Sequence, residues 1–537
     1  MTAKLRKFVT KASARLAGLL AVVIAVPALL TGCAGLLGGG PTIKVLAGSE
    51  VKDLEPILAD MTRETGVTLE FEYIGTLDGT EALLSSGDKP WQATWFPSNR
   101  YLTLFPEGLN LVDKSESIMR SPVVLGLKSE VAQRLGWTAD NQPTWQEVVD
   151  AISQGQLTYG MTSPISSNSG FTTLVQMTTA LSGTGTVLAT GDIAATTPQL
   201  QQFASGQQLA SGSSGWLVDK FAQQPDAVDG IFNYESVLET VQVNGQPLSI
   251  VIPSDGVVTS DYPLTLLKGA DEETAANYQK VVDYLLRDDV QQRIADDTHR
   301  RTTATPPSMD ASVFELPFPN QLETVQTLLE TWLSQVKKPS NMVFAIDTSG
   351  SMGDGSRMDD LRAALDVLSG SHGDGTSSAL LRLQPRERIT YLEFSSSVKS
   401  EFTVEIPADT AGYDAALREI NSHVSSYSPY GGTSVYTTVA TAYEDALANA
   451  SGDTISSIVL FTDGESNEGM SARDFERWYE DFVAQHPEAR EIPVFTVKFG
   501  DSNADELERL AELTGGRSFD AKSESLAAAF REIRGYL

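Results

Sequence analysis

Oxygen-bearing side chains with the types and spacing of a cation site follow a short apolar stretch. Residues 342–346 run into residues 347–351, sequence DTSGS, which has the pattern Asp-x-Ser-x-Ser. A glycine inside this segment lets the backbone turn, so that Asp347, Ser349 and Ser351 can face one centre. Hydroxyl and carboxylate oxygens are hard ligands, and the pattern therefore favours Mg²⁺, Mn²⁺ or Ca²⁺.

Two further oxygen donors come from distant parts of the chain. Thr433 directly precedes the helical pattern 435–448, and Asp463 directly follows the apolar strand pattern 458–462. In an open parallel sheet, the loops beyond the carboxyl ends of the strands meet at one crevice. No His or Cys is near in sequence, which argues against zinc. Segment 347–351 alone could be a polar turn, but its combination with Thr433 and Asp463 favours a metal site.

These pieces resemble the metal-ion-dependent adhesion site of von Willebrand factor A-type domains. The resemblance covers 341–537 and includes strand patterns near 388–394 and 492–499 and the closing pattern LAELTGGRSFDA. It implies a doubly wound, mostly parallel α/β domain that holds a divalent metal, Mg²⁺ before Mn²⁺ or Ca²⁺. In that family a carboxylate of a protein partner takes the open metal position. The implied ligands are Asp347, Ser349, Ser351, Thr433 and Asp463.

The N-terminus has the pattern of an export signal. Residues 1–15 carry basic side chains and no acid, and residues 16–30 are almost entirely apolar. The run ends in LTGC, which resembles the lipobox of bacterial lipoproteins and implies a signal peptide over 1–32. Cys33 is then lipidated, 33–41 is a flexible tether, and the protein is anchored at the extracytoplasmic face of the cell membrane. The alternative is an uncleaved transmembrane anchor with an incidental cysteine.

Residues 42–318 alternate short apolar strands with helical stretches, which indicates α/β structure. Strands are predicted at 43–47, 68–73, 122–127 and 247–252, and helices at 51–65, 79–86, 171–181 and 271–297. The order and spacing resemble two-lobed periplasmic solute-binding proteins in which the chain crosses twice between the lobes. The resemblance rests on the stretches IKVLAGSEVKDLEPIL, SPVVLGLKSEVAQRLGW, TSPISSNSGFTTLV, FNYESVL and VIPSDGVVTSDYPLTLL.

This second resemblance implies a ligand cleft between the lobes, contacted by strand ends and helix N-termini. Ser167 and Ser169 precede the predicted helix 171–181, and Ser49 follows the first predicted strand. Their hydroxyls and the free backbone N–H groups beyond them could bind an anionic or hydroxyl-rich group. Tyr234 is a weaker candidate. The alternative is that the serines are ordinary N-caps and that Tyr234 belongs to the core.

An amphipathic helix predicted at 320–336 is followed by KKPS at 337–340, so 319–340 is interpreted as a helix and linker between two modules. The chain has 70 acidic and 39 basic residues, which disfavours nucleic acid as a partner, although a solvated surface also explains the charge. Cys33 is the single cysteine, so no disulfide can form within the chain. We find no nucleophile elbow, phosphate-binding loop or zinc-protease motif, and no enzymatic activity is expected.

The sequence thus predicts a binding protein and leaves two functions open. In the first, the metal site captures an acidic side chain of a protein partner, and the N-terminal cleft adds a site for a small ligand. In the alternative, the protein is the solute-binding receptor of a membrane transporter, and the A-type domain docks on that transporter.

Overall fold

The computed structural model describes residues 40–85, 89–310, 313–369, 381–452, 454–464, 466–500, 504–521, 529–530 and 533–534. They form a two-lobed N-terminal module and a C-terminal module built on one sheet. The predicted signal peptide, Cys33 and the tether up to residue 39 lie outside the described residues. Among the helices of the described ranges, none is long and apolar enough to cross a membrane.

The N-terminal module contains short strands and a larger number of helices. Its strands are β1 (Thr42–Ala47), β2 (Thr68–Tyr73), β3 (Ala93–Trp95), β4 (Val112–Ser117), β5 (Ser121–Leu127), β6 (Tyr159–Thr162), β7 (Gln207–Ser211), β8 (Gly230–Tyr234), β9 (Gln242–Val243), β10 (Gln246–Pro247), β11 (Ser249–Val251), β12 (Thr259–Ser260) and β13 (Pro263–Leu267). Its helices are Ser49–Leu54 (3₁₀), Glu55–Thr65, Thr76–Leu84, Arg100–Leu104, Pro106–Leu111, Ser129–Leu135, Trp145–Ser153, Asn168–Leu181, Thr190–Ser205, Ser214–Gln223, Glu235–Leu238, Glu272–Leu285, Asp288–Thr298, Pro307–Asp310, Leu322–Thr331 and Trp332–Val336 (π).

Each lobe is built on its own mixed sheet. The first sheet has the order β2-β1-β3-β13-β4, in which β13 runs antiparallel to β3 and β4. The second has the order β11-β5-β8-β6-β7, with β12 paired to the start of β5. The chain therefore leaves the first lobe after β4 and returns to it with β13. This double crossing confirms the predicted two-lobed α/β architecture.

Several predicted elements of this module have different boundaries in the structure. The stretch 271–297 is two helices, because Arg287 is extended and the acids Asp288 and Asp289 begin a second helix, where negative charge is favourable. The stretch 247–252 is divided between β10 and β11. The helix predicted at 171–181 begins at Asn168, so Ser169 lies in its first turn and not before it.

The C-terminal module is a six-stranded sheet covered on both faces, over the described residues. Its strands are β14 (Ser340–Asp347), β15 (Arg388–Phe394), β16 (Val398–Glu405), β17 (Ile455–Thr462), β18 (Val494–Lys498) and β19 (Ser518–Asp520). Its helices are Gly350–Gly353 (3₁₀), Arg357–Leu368, Thr410–Ser425, Val435–Ala448, Ala472–Gln485, Pro487–Glu491 (3₁₀) and Ala504–Leu513. The order is β16-β15-β14-β17-β18-β19, and only β16 runs antiparallel to its neighbour. This arrangement confirms the predicted mostly parallel, doubly wound domain.

The central strand β14 explains why the candidate ligands lie where they do. All eight of its residues are buried, as expected for a strand with helices on both faces. It pairs in parallel with β15 and β17, so the carboxyl ends of these strands share one edge of the sheet. Asp347 is the last residue of β14, and Asp463 directly follows β17. The fold therefore brings two distant carboxylates to the same edge.

The segment between the modules is packed rather than extended. The apolar face of the helix Leu322–Thr331 and of the π turn after it joins the core of the second lobe, through Leu328, Leu329 and Trp332 among others. Lys337, in the predicted linker, is only 6% exposed, and its Nζ lies 3.5 Å from Glu387 Oε1. Arg534 also binds Glu387, through two guanidinium nitrogens. The buried ammonium therefore has an anionic partner in the C-terminal module.

Candidate metal centre

Asp347 is the most deeply buried of the candidate ligands. Its Oδ1 accepts a hydrogen bond from the Ser349 backbone N–H at 2.7 Å, and its Oδ2 accepts one from Thr462 Oγ1 at 2.6 Å. Burial raises the pKa of Asp347 to about 6, although the bonds from Thr462 and Ser349 act in the opposite direction. The nearby Asp463 carboxylate adds to the increase. A cation at this position would favour the ionised carboxylate.

Asp463 lies beside the serine hydroxyls of the first segment. Ser351 Oγ is 2.9 Å from Asp463 Oδ1, and Ser349 Oγ is 3.2 Å from Ser351 Oγ. The other carboxylate oxygen of Asp463, Oδ2, accepts a hydrogen bond from Arg357 Nη1 at 2.6 Å. Two carboxylates and two hydroxyls from separate segments are thus connected at one edge of the sheet.

Thr433 belongs to a loop that packs against the first segment through its backbone. The Gly350 N–H donates to the Gly431 carbonyl at 3.0 Å, and the Tyr430 N–H donates to the Thr348 carbonyl at 2.9 Å. The Thr433 N–H donates to Asn467 Oδ1 at 2.9 Å. Thr433 therefore lies on a loop whose backbone is hydrogen-bonded to the DTSGS segment. The other four candidates are linked to one another through side-chain and backbone hydrogen bonds.

The donor set fits a hard divalent cation. All the candidate side chains offer oxygen, and Asp347, Ser349, Thr433 and Asp463 are buried, while Ser351 is exposed at the mouth. Within the described residues, no group of three or more His, Cys, Asp or Glu is placed to hold a metal, so this site depends on two carboxylates and on hydroxyls. Asp463 already has a cationic partner, the Arg357 guanidinium, which shows that positive charge is accommodated here.

Sequence reasoning missed three residues of this site. Thr462 orients the Asp347 carboxylate, Asn467 holds the Thr433 backbone, and Arg357 pairs with Asp463. Thr462 and Asn467 lie close in sequence to Asp463, so their proximity was a usable signal. Arg357 begins the helix after the DTSGS loop, but nothing in the sequence indicates which acid it contacts.

The mouth of the site carries an exposed aromatic side chain. Tyr430 is 63% exposed, and Lys399 Nζ lies 3.6 Å from the centroid of its ring. Lys399 also donates to the Thr348 hydroxyl at 2.8 Å and to the Thr348 carbonyl at 3.1 Å. An aromatic ring and an ammonium group thus stand on the loops that supply the candidate ligands.

The serines of the predicted cleft form a buried hydroxyl cluster in the second lobe. Ser169 Oγ lies 2.7 Å from Thr162 Oγ1, 2.9 Å from Ser214 Oγ and 3.3 Å from Ser167 Oγ. Ser167 occupies the N-cap position, but its side chain does not cap the helix. We define Thr162, Ser167, Ser169 and Ser214 as the serine cluster. The hydroxyls of Thr162, Ser167 and Ser214 all lie within hydrogen-bonding distance of Ser169 Oγ.

The other cleft candidates have different surroundings. Tyr234 is fully buried, and its hydroxyl accepts a hydrogen bond from Asn168 Nδ2 at 3.1 Å. Ser49 is partly buried and begins the 3₁₀ helix after β1. The lobes touch at this point, since the Leu77 N–H of the first lobe donates to the Ser166 carbonyl of the second at 3.2 Å. The structure therefore places Ser49 and the serine cluster on opposite lobes.

Glu50, next to Ser49, has a buried carboxylate. Within the described residues its Oε2 has no hydrogen-bond partner, and burial raises the pKa of Glu50. A hydrogen bond from Ser214 and the charge of Arg300 oppose this increase only in part. The fully buried Arg300 guanidinium donates instead to Asp53 Oδ2 at 2.5 Å and to the Glu50 carbonyl at 2.8 Å.

Comparison with known proteins divides the chain into the same two modules as the structure. Residues 43–297 match the family model for bacterial extracellular solute-binding proteins, and residues 341–532 match that for the von Willebrand factor type A domain. No curated protein matches the chain in sequence.

Solved structures with some similarity to the chain include the following three. The periplasmic binding protein P5PA is 16% identical over 55% of this chain and 100% of its own, with a TM-score of 0.42. AfuA of Actinobacillus pleuropneumoniae, a periplasmic binding protein, is 13% identical over 56% of this chain and 99% of its own, with a TM-score of 0.43. A von Willebrand factor type A protein from Catenulispora acidiphila is 21% identical over 37% of this chain and 43% of its own, with a TM-score of 0.27. The chain therefore combines a region similar to bacterial extracellular solute-binding proteins with a region similar to von Willebrand factor type A domains.

Proposed function

We propose that this protein is an extracytoplasmic, lipid-anchored binding protein that captures a protein partner through a divalent metal in its C-terminal module. Asp347, Ser349, Ser351, Thr433 and Asp463 hold the metal, with Mg²⁺ as the expected ion. When bound, the metal supplies an electrophilic position for an acidic side chain of the partner. Because only two ligand carboxylates offset its charge, a third carboxylate from outside is attracted.

The observation that carries this proposal is the meeting of Asp347 and Asp463 at one edge of the sheet. Both carboxylates are buried, and hydroxyls from the DTSGS loop lie between them. Two buried carboxylates repel each other and lose hydration, so a cation between them is favourable. The exposed Tyr430 supports a protein as the partner, because aromatic side chains are enriched where proteins bind one another.

The anchoring part of the proposal rests on the sequence around Cys33, which lies outside the described residues. Location outside the cytoplasm is supported by the match of residues 43–297 to bacterial extracellular solute-binding proteins. Two acyl chains on Cys33 would suffice for stable anchoring. A Cys33→Ser variant that still incorporates labelled lipid in cells would contradict this part.

The N-terminal cleft is proposed to take a small solute, bound by Ser49, Ser167 and Ser169 near Tyr234. The family match supports this role, and it also keeps open the alternative in which the protein is the receptor of a membrane transporter. Titration of the purified protein with a metabolite library tests the cleft. Tight, saturable binding of one compound is required by the transport receptor, whereas metal-dependent capture of a protein partner does not depend on it.

The decisive experiment is calorimetric titration of Mg²⁺ and Mn²⁺ into the purified protein and its Asp463→Ala variant. Loss of a residue that only supports a metal ligand weakens metal binding by up to about a hundredfold. Asp463→Ala removes one of the two ligand carboxylates themselves, so it is expected to weaken metal binding by at least about a hundredfold. The matched control is Asp359→Ala, an acid whose side chain is 80% exposed on the helix Arg357–Leu368. A folded Asp463→Ala variant with undiminished metal affinity would refute the site.

A further inference from the structure

The ion pair between Arg357 and Asp463 occupies a carboxylate oxygen that the proposed metal site needs. The Asp463 side chain is fully buried, and both of its oxygens have donors, Ser351 Oγ on Oδ1 and Arg357 Nη1 on Oδ2. The same guanidinium nitrogen donates to the Ser351 carbonyl at 3.0 Å. Arg357 therefore contacts two of the proposed ligand residues at once.

The Arg357 side chain is held between Asp463 and Gly500. It begins the helix Arg357–Leu368, and its side chain is 27% exposed. On the far side it packs against Gly500, where a Cβ atom would lie 2.7 Å from Arg357 Nε. Gly500 has a φ of +87°, a conformation that side-chain-bearing residues rarely adopt, so a glycine is favoured where the guanidinium passes. Lys399, another basic side chain at this edge, contacts Thr348 and Glu393 instead.

We infer that Arg357 is the internal counter-ion of the metal site and competes with the divalent cation for Asp463. The inference rests on the proposed function and specifies how its metal affinity is set. A guanidinium is permanently charged, so it neutralises the buried Asp463 carboxylate whenever no metal is bound. A divalent cation on the same carboxylate is repelled by that charge and must displace or share its contact. Arg357 thus stabilises the metal-free fold and lowers metal affinity.

The test compares three variants of the purified full chain by calorimetric titration with Mg²⁺ and with Mn²⁺. Arg357→Gln removes the charge and leaves a shorter polar side chain, and it is expected to bind either ion about tenfold more tightly. Arg357→Lys keeps the charge and is expected to stay near the wild-type affinity. The control is Arg418→Gln, which removes an exposed arginine of the helix Thr410–Ser425.

Thermal unfolding supplies a second readout. In EDTA, Arg357→Gln is expected to melt below the wild type, because Asp463 has lost its cation; in saturating Mg²⁺ the two are expected to melt together. If the variant folds poorly without metal, saturating Mg²⁺ should restore its folding. An unchanged or weaker metal affinity of Arg357→Gln, or failure of Mg²⁺ to restore it, overturns the inference. A wild-type protein that binds neither ion overturns the proposed function itself, and the inference falls with it.

Discussion

Both modules contain a serine-rich loop, but the polar side chains of the two loops have different hydrogen-bond partners. In each, a serine-containing loop follows a strand and leads into a helix, TSPISSNSG in the N-terminal module and DTSGS in the C-terminal one. In the N-terminal module the hydroxyls of the serine cluster bond to one another. In the C-terminal module the serines lie between two buried carboxylates, one of which is paired with an arginine.

The difference follows from what each group can donate and accept. A hydroxyl is both donor and acceptor, so a group of hydroxyls can form a closed network without a ligand. A carboxylate only accepts, and burying it without a positive partner is unfavourable. Asp463 has such a partner in Arg357, whereas Glu50 in the cleft has its Oε2 unpartnered within the described residues. The carboxylates, more than the serines, therefore indicate where a cation is needed.

The largest expected difference between the modules is in the unfolding free energy that each loses when one serine hydroxyl is removed. Ser169→Ala leaves the hydroxyls of Thr162, Ser167 and Ser214 with fewer partners, and we expect the N-terminal module to lose about 2 kcal/mol of unfolding free energy. Ser351→Ala removes one donor of the buried Asp463 carboxylate, which keeps its bond to Arg357, and is expected to cost only about 1 kcal/mol in metal-free protein. Thermal unfolding in EDTA measures both. Equal effects would show that the two serine loops are structurally alike.

A second prediction concerns the buried acid of the cleft. The pKa of Glu50 is raised above its ordinary value of 4.5, so the folded protein holds the proton more tightly than the unfolded chain. The stability that Glu50 contributes is therefore present below 4.5 and is lost as the pH rises through the raised value. Glu50→Gln should remove this loss and raise the melting temperature of the N-terminal module at neutral pH.

The measurement is the melting temperature of wild type and Glu50→Gln as the pH is raised from about 4 to about 7, a window set by the ordinary glutamate pKa. The difference between the two proteins should grow with pH. Glu107→Gln serves as the control, because Glu107 is an exposed glutamate of the same lobe. If the difference in melting temperature between wild type and Glu50→Gln stayed constant with pH, ionisation of Glu50 would not be what destabilises the folded protein.

The smallest effect is expected from Thr433→Ala. This change removes a neutral oxygen that water can replace, so metal affinity should fall only about threefold, consistent with the net worth of one neutral hydrogen-bonding group. The backbone of the loop should be retained, because Asn467 holds the Thr433 N–H and not its side chain. Calorimetry under the conditions used for Asp463→Ala provides the comparison. A loss as large as that of Asp463→Ala would make Thr433 an essential ligand.

Sequence alone predicted the two-module α/β architecture and the convergence of Asp347 and Asp463. Both follow from local patterns, because an apolar strand that ends in an acid places that acid at the carboxyl edge of a parallel sheet. The strand β2 was predicted with its observed boundaries, since Thr68, Phe71 and Tyr73 are of types that are enriched in strands. The prediction that Ser349, Ser351 and Thr433 complete a metal site stays a prediction.

Tertiary structure alone decided which partners these groups find. Arg357 and Asp463 are 106 positions apart, and Ser169 and Ser214 are 45 apart, so neither contact follows from spacing along the chain. The burial of Lys337 likewise depends on Glu387 in the other module. Strand patterns are local and can be read from the chain, whereas a buried charge or hydroxyl is satisfied by whichever distant group the packed fold brings within about 3 Å.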